Sequence, residues 1–299
     1  MNPVATKSKP APSDGAAEAA RLGRREPAGL TATPPAGRLD RIAGLPAVEA
    51  LFQRRPERVL RLFYEDGLVP KVGGFCAQLA RWHRPYRRVD AEALARIAGT
   101  VLHGGIVAVA EARPVPPFDP AEAASWAAAG QSLFVLDGVG NPHNLGAIAR
   151  TLAFLGYRYL VISDHPAQAG LSDAAYRVAE GGLEYLTLRR AAPLAPALKK
   201  IADQYRVVGT ALRRGVPLAA LGADPRPVAV VLGNEEQGLP RATLDACEAV
   251  VTLPGSGTVQ SLNVAATAAI LAYAFRPRSP GLTPRQPGKS PGGRRKSGT

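Results

Sequence analysis

Five polar side chains of this 299-residue sequence fall in three short strings, each where an apolar run gives way to a glycine-containing loop. In Asn144-Leu-Gly146-Ala-Ile-Ala-Arg150 the string follows FVLDGV and opens an amphipathic stretch. An arginine there can grip a phosphate or a ribose oxygen with forked donors, and the glycine lets the backbone turn sharply or approach a ligand. The same letters also read as an asparagine-capped helix with a solvated arginine. Gly233-Asn234-Glu235-Glu236-Gln237-Gly238 follows VAVVL. An acidic loop between glycines suits hydrogen bonds to ribose hydroxyls or a backbone donor, and is equally an ordinary polar turn. In Leu253-Pro-Gly255-Ser-Gly257-Thr-Val-Gln-Ser261-Leu262-Asn263-Val-Ala265 a glycine-rich loop enters a long apolar helix. Ser261, helped by Asn263, either caps that helix or faces a ligand. Ligands of parallel α/β sheets bind at the carboxyl ends of strands, so three such loops on one sheet weigh more than any one alone.

The elements that must position these strings follow from periodicity. Strands are predicted at Leu133–Leu136, Tyr159–Ile162, Arg206–Gly209, Val228–Leu232 and Val250–Leu253. Helices are predicted at Leu145–Leu155, Asp173–Ala179, Pro193–Gln204, Arg241–Glu248 and Leu262–Phe275. Near-continuous apolar strands such as VAVVL imply a parallel sheet covered on both faces, hence an α/β domain over 131–276. A smaller α/β unit precedes it over 42–112. Its predicted helices are Ala47–Gln53 and Phe75–Trp82, and its strands Val59–Tyr64 and Ile106–Ala110. The proline-rich run from Arg113 to Pro120 opens a linker expected over 113–130. Residues 1–41 contain no aromatic residue, and 277–299 are basic without an acid, so both are expected to be disordered tails.

The net charge is +13 and the pI about 10.2. That balance favours a polyanionic partner such as nucleic acid, although part of the excess lies in the tails. Arg81-Trp82-His83-Arg84 and Tyr86-Arg87-Arg88 interleave cations with rings, a pattern suited to phosphate contact and base stacking. Arg81, Arg84, Arg87 and Arg88 are therefore candidate RNA contacts, while Trp82 reads equally as core. Cys76 and Cys247 have no CxxC partner and no histidine at zinc spacing, so buried apolar thiols are expected and no metal is implied. No apolar run approaches the ~18–20 residues of a membrane span, and MNPVATKSKPAPSDG lacks the apolar core of a secretory signal. A soluble, cytoplasmic protein is expected, without a membrane partner. Gly255-Ser-Gly257-Thr-Val-Gln260 imitates half of a dinucleotide fingerprint, but the third glycine is glutamine. Gly288-Lys289-Ser290 imitates the end of a Walker A loop with Thr283 in place of the first glycine.

Taken in order, NLGAIAR, GNEEQG and SLNVA closely resemble the three motifs of the SpoU (TrmH) family of RNA 2′-O-ribose methyltransferases, in the SPOUT superfamily. The stretch from GLPAVEALF to HGGIVAVAEA resembles, more weakly, the small ribosomal-protein-like RNA-binding domain that many of these enzymes carry. The resemblance implies a C-terminal trefoil knot, bound S-adenosylmethionine, a homodimer with its active site near the interface, and methyl transfer to a ribose of tRNA or rRNA. It implies cofactor contacts at Gly233, Leu253 and Leu262, with Thr210, Gly238 and Gly257 beside them. It assigns Asn144, Arg150, Glu235, Ser261 and Asn263 to the active site. The sequence departs from the family pattern at Gly255, where methionine is common, at Ala265, where serine is common, and at Gly104 after His103, where glutamine often stands. An RNA-binding or ribosome-assembly protein that kept the fold without turnover is the alternative.

A sulfonium methyl is already electrophilic, so positioning is the main task, with ~7–11 kcal/mol available from orientation. Arg150 stays protonated near neutrality and reads as a phosphate and oxyanion stabiliser. Glu235 is expected to orient Asn144 or backbone donors, and Ser261 and Asn263 to hold Arg150 or the cofactor carboxylate. His143 reads as incidental.

Overall fold

The computed structural model describes residues 38–213 and 215–276. Most of the expected tails, 1–37 and 277–299, lies outside the described residues. The N-terminal boundary at 41 falls inside a strand, β1 (Leu39–Ala43), so the ordered chain starts earlier than its composition suggests.

The first unit is a four-stranded sheet in the order β1-β4-β2-β3, with β2 at Val59–Tyr64, β3 at Tyr86–Arg88 and β4 at Ile106–Glu111. β4 pairs antiparallel with β1 and β2, and β3 runs parallel to β2. Three helices accompany it: α1 (Leu45–Arg54), α2 (Val69–Arg81) and α3 (Ala91–Ala98). Proline in the first turn of α1 and α2 fits where the backbone N–H has no helical partner, and the Asp90 carboxylate caps α3 by accepting from the Ala93 N–H.

The second unit is a six-stranded, all-parallel sheet in the order β10-β8-β9-β5-β6-β7. Its strands are β5 (Leu133–Asp137), β6 (Tyr159–Ser163), β7 (Thr187–Ala191), β8 (Arg206–Thr210), β9 (Val228–Gly233) and β10 (Ala249–Val251). This bears out the parallel α/β reading. Side chains of a strand alternate between faces. In β5, Phe134 and Leu136 pack with α5 (Pro142–Phe154), α6 (Asp173–Ala179), and α10 (Val264–Ala274) on one side. Leu133 and Val135 pack with α4 (Pro120–Ala128) and α8 (Leu194–Ile201) on the other. Short helices α7 (Gly182–Tyr185) and α9 (Arg241–Leu244) complete the unit.

Three differences from the predicted elements have physical causes. The expected linker 113–130 is not free chain. Phe118 N–H donates to the Arg190 carbonyl, Arg190 N–H donates to the Pro116 carbonyl, and the run lies along the edge of β7. It then enters α4, capped by Asp119, whose Trp126 is buried and stacks on Tyr159 with ring centroids 3.9 Å apart. β7 itself escaped prediction because Arg189 and Arg190 break its apolar pattern, as edge strands tolerate. Both arginines have local partners: Arg189 pairs with Glu122 at 2.7 Å, and Arg190 Nη1 donates to the Ser163 carbonyl at 3.0 Å.

The two units share one continuous core, in which Ile42, Val48 and Leu51 of the first join Leu145, Tyr176 and Leu183 of the second. A buried ionic cluster lies in the same seam. Arg58 Nη2 is 2.7 Å from Asp40 Oδ2 and its Nη1 is 3.2 Å from Glu184 Oε1, and all three side chains are almost fully buried. Tyr176 donates its hydroxyl to Asp40 at 3.1 Å, and Arg55 reaches Glu184 at 2.6 Å. Arg113 donates to the carbonyls of Leu183 and Leu186, and burial pulls its guanidinium down to about 10. Buried charges with so many partners fix relative placement more than they add stability.

Candidate active site

β5 ends in a loop that two amides hold from outside it. Gln168 Oε1 accepts from the backbone N–H groups of Gly138 and Val139 at 3.0 and 3.1 Å, and Asn234 Nδ2 donates to the Gly138 carbonyl at 2.9 Å. Asn141 then caps α5 by accepting from the His143 N–H. The cap is thus Asn141, which leaves the buried Asn144 amide free to point elsewhere. Gly146 lies inside α5 rather than in a turn. A Cβ there would sit 2.6 Å from the Ala175 carbonyl oxygen, so this glycine serves the close approach of α6 and not a ligand.

The loop after β9 closes on itself through Asn234 N–H to the Gly238 carbonyl and the reverse bond, at 3.1 and 2.9 Å. Asn234 Oδ1 accepts from the N–H groups of Glu236 and Gln237. Gly233 faces the backbone of Gly238 and Leu239 so closely that no side chain fits. This loop carries Glu235, whose Oε1 lies 2.5 Å from Asn144 Nδ2. Asn263 completes the chain of amides: its Nδ2 donates to Asn144 Oδ1 at 3.0 Å, and its Oδ1 caps α10 through the Ala265 N–H. The helix cap is therefore Asn263, not Ser261.

A cleft opens at the carboxyl ends of β8, β9 and β10. It is lined by Thr210, Gly233, Glu235, Gly238, Leu253, Ser261 and Leu262 among others. Five of the six residues expected around a cofactor thus line one cavity, together with Glu235 and Ser261. Gly257 does not; it lies on an exposed loop with φ 86°. Arg150 does not either. Six residues along a helix are about 9 Å of rise and roughly 240° of rotation, so Asn144 and Arg150 leave α5 on different faces. Arg150 is exposed and pairs instead with Glu180, Nη2 to Oε2 at 2.9 Å.

The four arginines expected at RNA divide in the structure. Arg81 and Arg87 are exposed. Arg88 is exposed beside Asp66, at 2.9 Å. Arg84 is partly buried, and its Nη1 donates to the Glu57 and Val59 carbonyls at 2.6 and 2.5 Å. Trp82 is 40% exposed, not core, and the Arg84 guanidinium lies 5.1 Å from its ring centroid. The two cysteines are thiols; burial raises Cys76 and pushes Cys247 up to about 12. Sequence reasoning missed Gln168 and Asn234. Asn234 stood inside a recognised string, whereas nothing in the spacing around Gln168 announces it. No helix among the described residues is long and apolar enough to cross a membrane.

A glycine-walled cleft at the carboxyl edge of a parallel sheet defines an α/β protein that takes a small ligand there. Residues 131–273 match the SpoU rRNA Methylase family, and residues 41–116 match the family described as RNA 2′-O ribose methyltransferase substrate binding. The chain is 32% identical, over 77% of its length, to the 23S rRNA (guanosine-2′-O-)-methyltransferase RlmB of Acinetobacter baylyi, spanning 94% of that protein. It is also 32% identical over 77% of its length to the uncharacterized tRNA/rRNA methyltransferase YfiF of Escherichia coli O157:H7, spanning 66% of that protein. The crystal structure of the AdoMet-bound rRNA methyltransferase from Sinorhizobium meliloti has the same fold, with TM-score 0.63 and 23% identity over 80% of this chain and 87% of that one. The chain belongs to the SpoU methylase family.

Proposed function

We propose that the protein transfers the methyl group of S-adenosylmethionine to a ribose 2′-hydroxyl of structured RNA in the cytoplasm. Ribosomal RNA is the substrate class favoured by the relatives named above. The observation that carries the reading is the Glu235–Asn144–Asn263 chain, which meets the glycine-walled cleft through Glu235 in its lining and through Asn263, set between the lining residues Leu262 and Val264.

The cleft suits the cofactor in its own terms. Gly233 lets the loop backbone at Gly238 and Leu239 close against the strand end beside the cavity, and Leu253 and Leu262 offer apolar surface beside backbone donors and acceptors. Gly233, Gly238, Leu253 and Leu262 would hold the cofactor, with Thr210 at the floor. The bound cofactor supplies an electrophilic sulfonium methyl. Glu235 fixes the Asn144 amide, and Asn263 fixes it from the other side, so that a polar edge is set before the RNA arrives. Arg150 would stabilise the phosphate and the developing negative charge on the ribose oxygen.

The reading includes a homodimer and a trefoil knot in the loops after β9 and β10. α10 is apolar on every side, and Ile270 and Tyr273 on it are exposed, as are Leu262 and Phe154, the last at 88%. Phe154 lies four residues beyond Arg150, on the same face of α5. A second copy seated on Phe154 would therefore bring the Arg150 of one protomer toward the cleft of the other. The small unit, with exposed Arg81, Trp82 and Arg87, would meet the RNA outside the cleft.

The test is transfer of labelled methyl to total and ribosomal RNA, with ribose methylation mapped in the product. Wild-type protein is expected to label ribose 2′-oxygens, and Arg150→Ala to lose labelling while still binding S-adenosylmethionine. A folded wild-type protein that binds RNA and the cofactor without any transfer would establish the alternative, a binding protein of the same fold.

A further inference from the structure

Two non-glycine residues among the described ones have positive φ, His83 and Glu180. Glu180 ends α6 at φ 43°, ψ 45°, the left-handed region that favours glycine. Two glycines follow immediately, so the sequence places a glutamate at a position that a glycine would occupy without strain. Stability does not account for it. The Glu180–Arg150 pair is about half exposed on both sides, and exposed ion pairs contribute little to folding. Strained residues that persist without a stability gain point to function.

The backbone that carries Glu180 is fixed from two directions. A Cβ at Gly181 would lie 2.7 Å from Ala50 Cβ and 2.9 Å from the Pro46 carbonyl oxygen, both on α1 of the first unit. A Cβ at Gly182 would lie 2.8 Å from the Arg150 Cα on α5. The carboxylate is thus mounted where the first unit, α6 and the arginine's own helix meet.

We propose that Glu180 is a positioning residue for Arg150: it holds the guanidinium in one orientation for its work on the RNA ribose, from a mount set by the seam between the two units. The inference rests on the reading of Arg150 given above. Glu180 restrains a long side chain that otherwise samples many rotamers, and so lowers the entropy lost when the arginine meets its target.

The test uses the full chain, with initial rates of methyl transfer to RNA, cofactor affinity and thermal unfolding measured for Glu180→Gly, Glu180→Gln, Arg150→Ala, Arg150→Lys and Arg150→Lys/Glu180→Gly. Glu180→Gly removes the carboxylate and relieves the backbone, so the melting temperature is expected to hold or rise. Its kcat is expected to fall about tenfold, with cofactor affinity unchanged and Glu180→Gln in between. In the Arg150→Lys background the glycine substitution is expected to cost nothing further, because Glu180 acts through the arginine. Full activity in Glu180→Gly beside an inactive Arg150→Ala overturns the role of Glu180 alone. An equal loss in both backgrounds, or a fall in melting temperature with Glu180→Gly, assigns it a structural role and overturns it as well. Full activity in Arg150→Ala, or none in the wild type, overturns the reading of Arg150 beneath it.

Discussion

The Asn144 amide lies between Glu235, at 2.5 Å, and Asn263, at 3.0 Å, and the first two are 91 positions apart in sequence. Asn144 therefore has its carbonyl and amino ends assigned by its neighbours, and cannot flip without losing both bonds. Glu235→Ala removes one end of that clamp. Methyl transfer is expected to fall on the order of 100-fold through loss of alignment, with thermal stability nearly unchanged, and rate measurements beside a melting curve check it.

Gly146→Ala tests the assignment of that glycine to packing. The added methyl meets the Ala175 carbonyl oxygen at 2.6 Å and Val178 Cβ at 2.9 Å. A loss of about 1–3 kcal/mol in denaturant unfolding is expected from overpacking, with cofactor affinity per folded molecule preserved. Weaker cofactor binding in a fully stable variant would return Gly146 to the ligand.

Arg58→Ala leaves the buried carboxylates of Asp40 and Glu184 without their shared cation. Breaking such a cluster costs about 3–5 kcal/mol. Calorimetry is expected to show a melting temperature lower by roughly 10 °C. An Arg58→Met change of similar volume does not restore it, since Asp40 stays without a cation and Glu184 keeps only Arg55.

Asp224 supplies a pH signature. Its carboxylate accepts from the Arg226 side chain and backbone, which holds it at about 2 instead of 3.8. A depressed carboxylate stabilises the fold above its unfolded value, and that contribution is lost as pH falls through the folded one. Asp224→Asn is expected to melt below the wild type at pH 5 to 7, and the gap is expected to close between about pH 4 and pH 2. A gap independent of pH would assign the effect to packing.

The polar strings were legible because each interrupts an apolar run at a strand end, where a parallel sheet presents its ligands. Asn144, Glu235 and Asn263 meet as that logic requires. Arg150 shows its limit: spacing along a helix gives distance from Asn144 but also a rotation, and the rotation carries the guanidinium to another face. The cap reading failed at Ser261 because Asn263, two residues on, takes that position. Asp40, Arg58 and Glu184 were invisible as a cluster, since single charges in a sequence read as solvated surface and only tertiary contact buries them. β7 was hidden by the arginines that its edge position allows, and α4 by the prolines before it.

The seam joining the two sheets has a mechanical consequence. With Ile42, Leu51 and Leu183 in one core and Arg58 bonded to both sides, the small unit cannot swing on a tether to search for its target. In the proposed reading the molecule would work as a fixed gauge: an RNA gripped by the exposed arginines would stand at a constant offset from the cleft, and a nucleotide would be reached only if the RNA's own shape matched that offset.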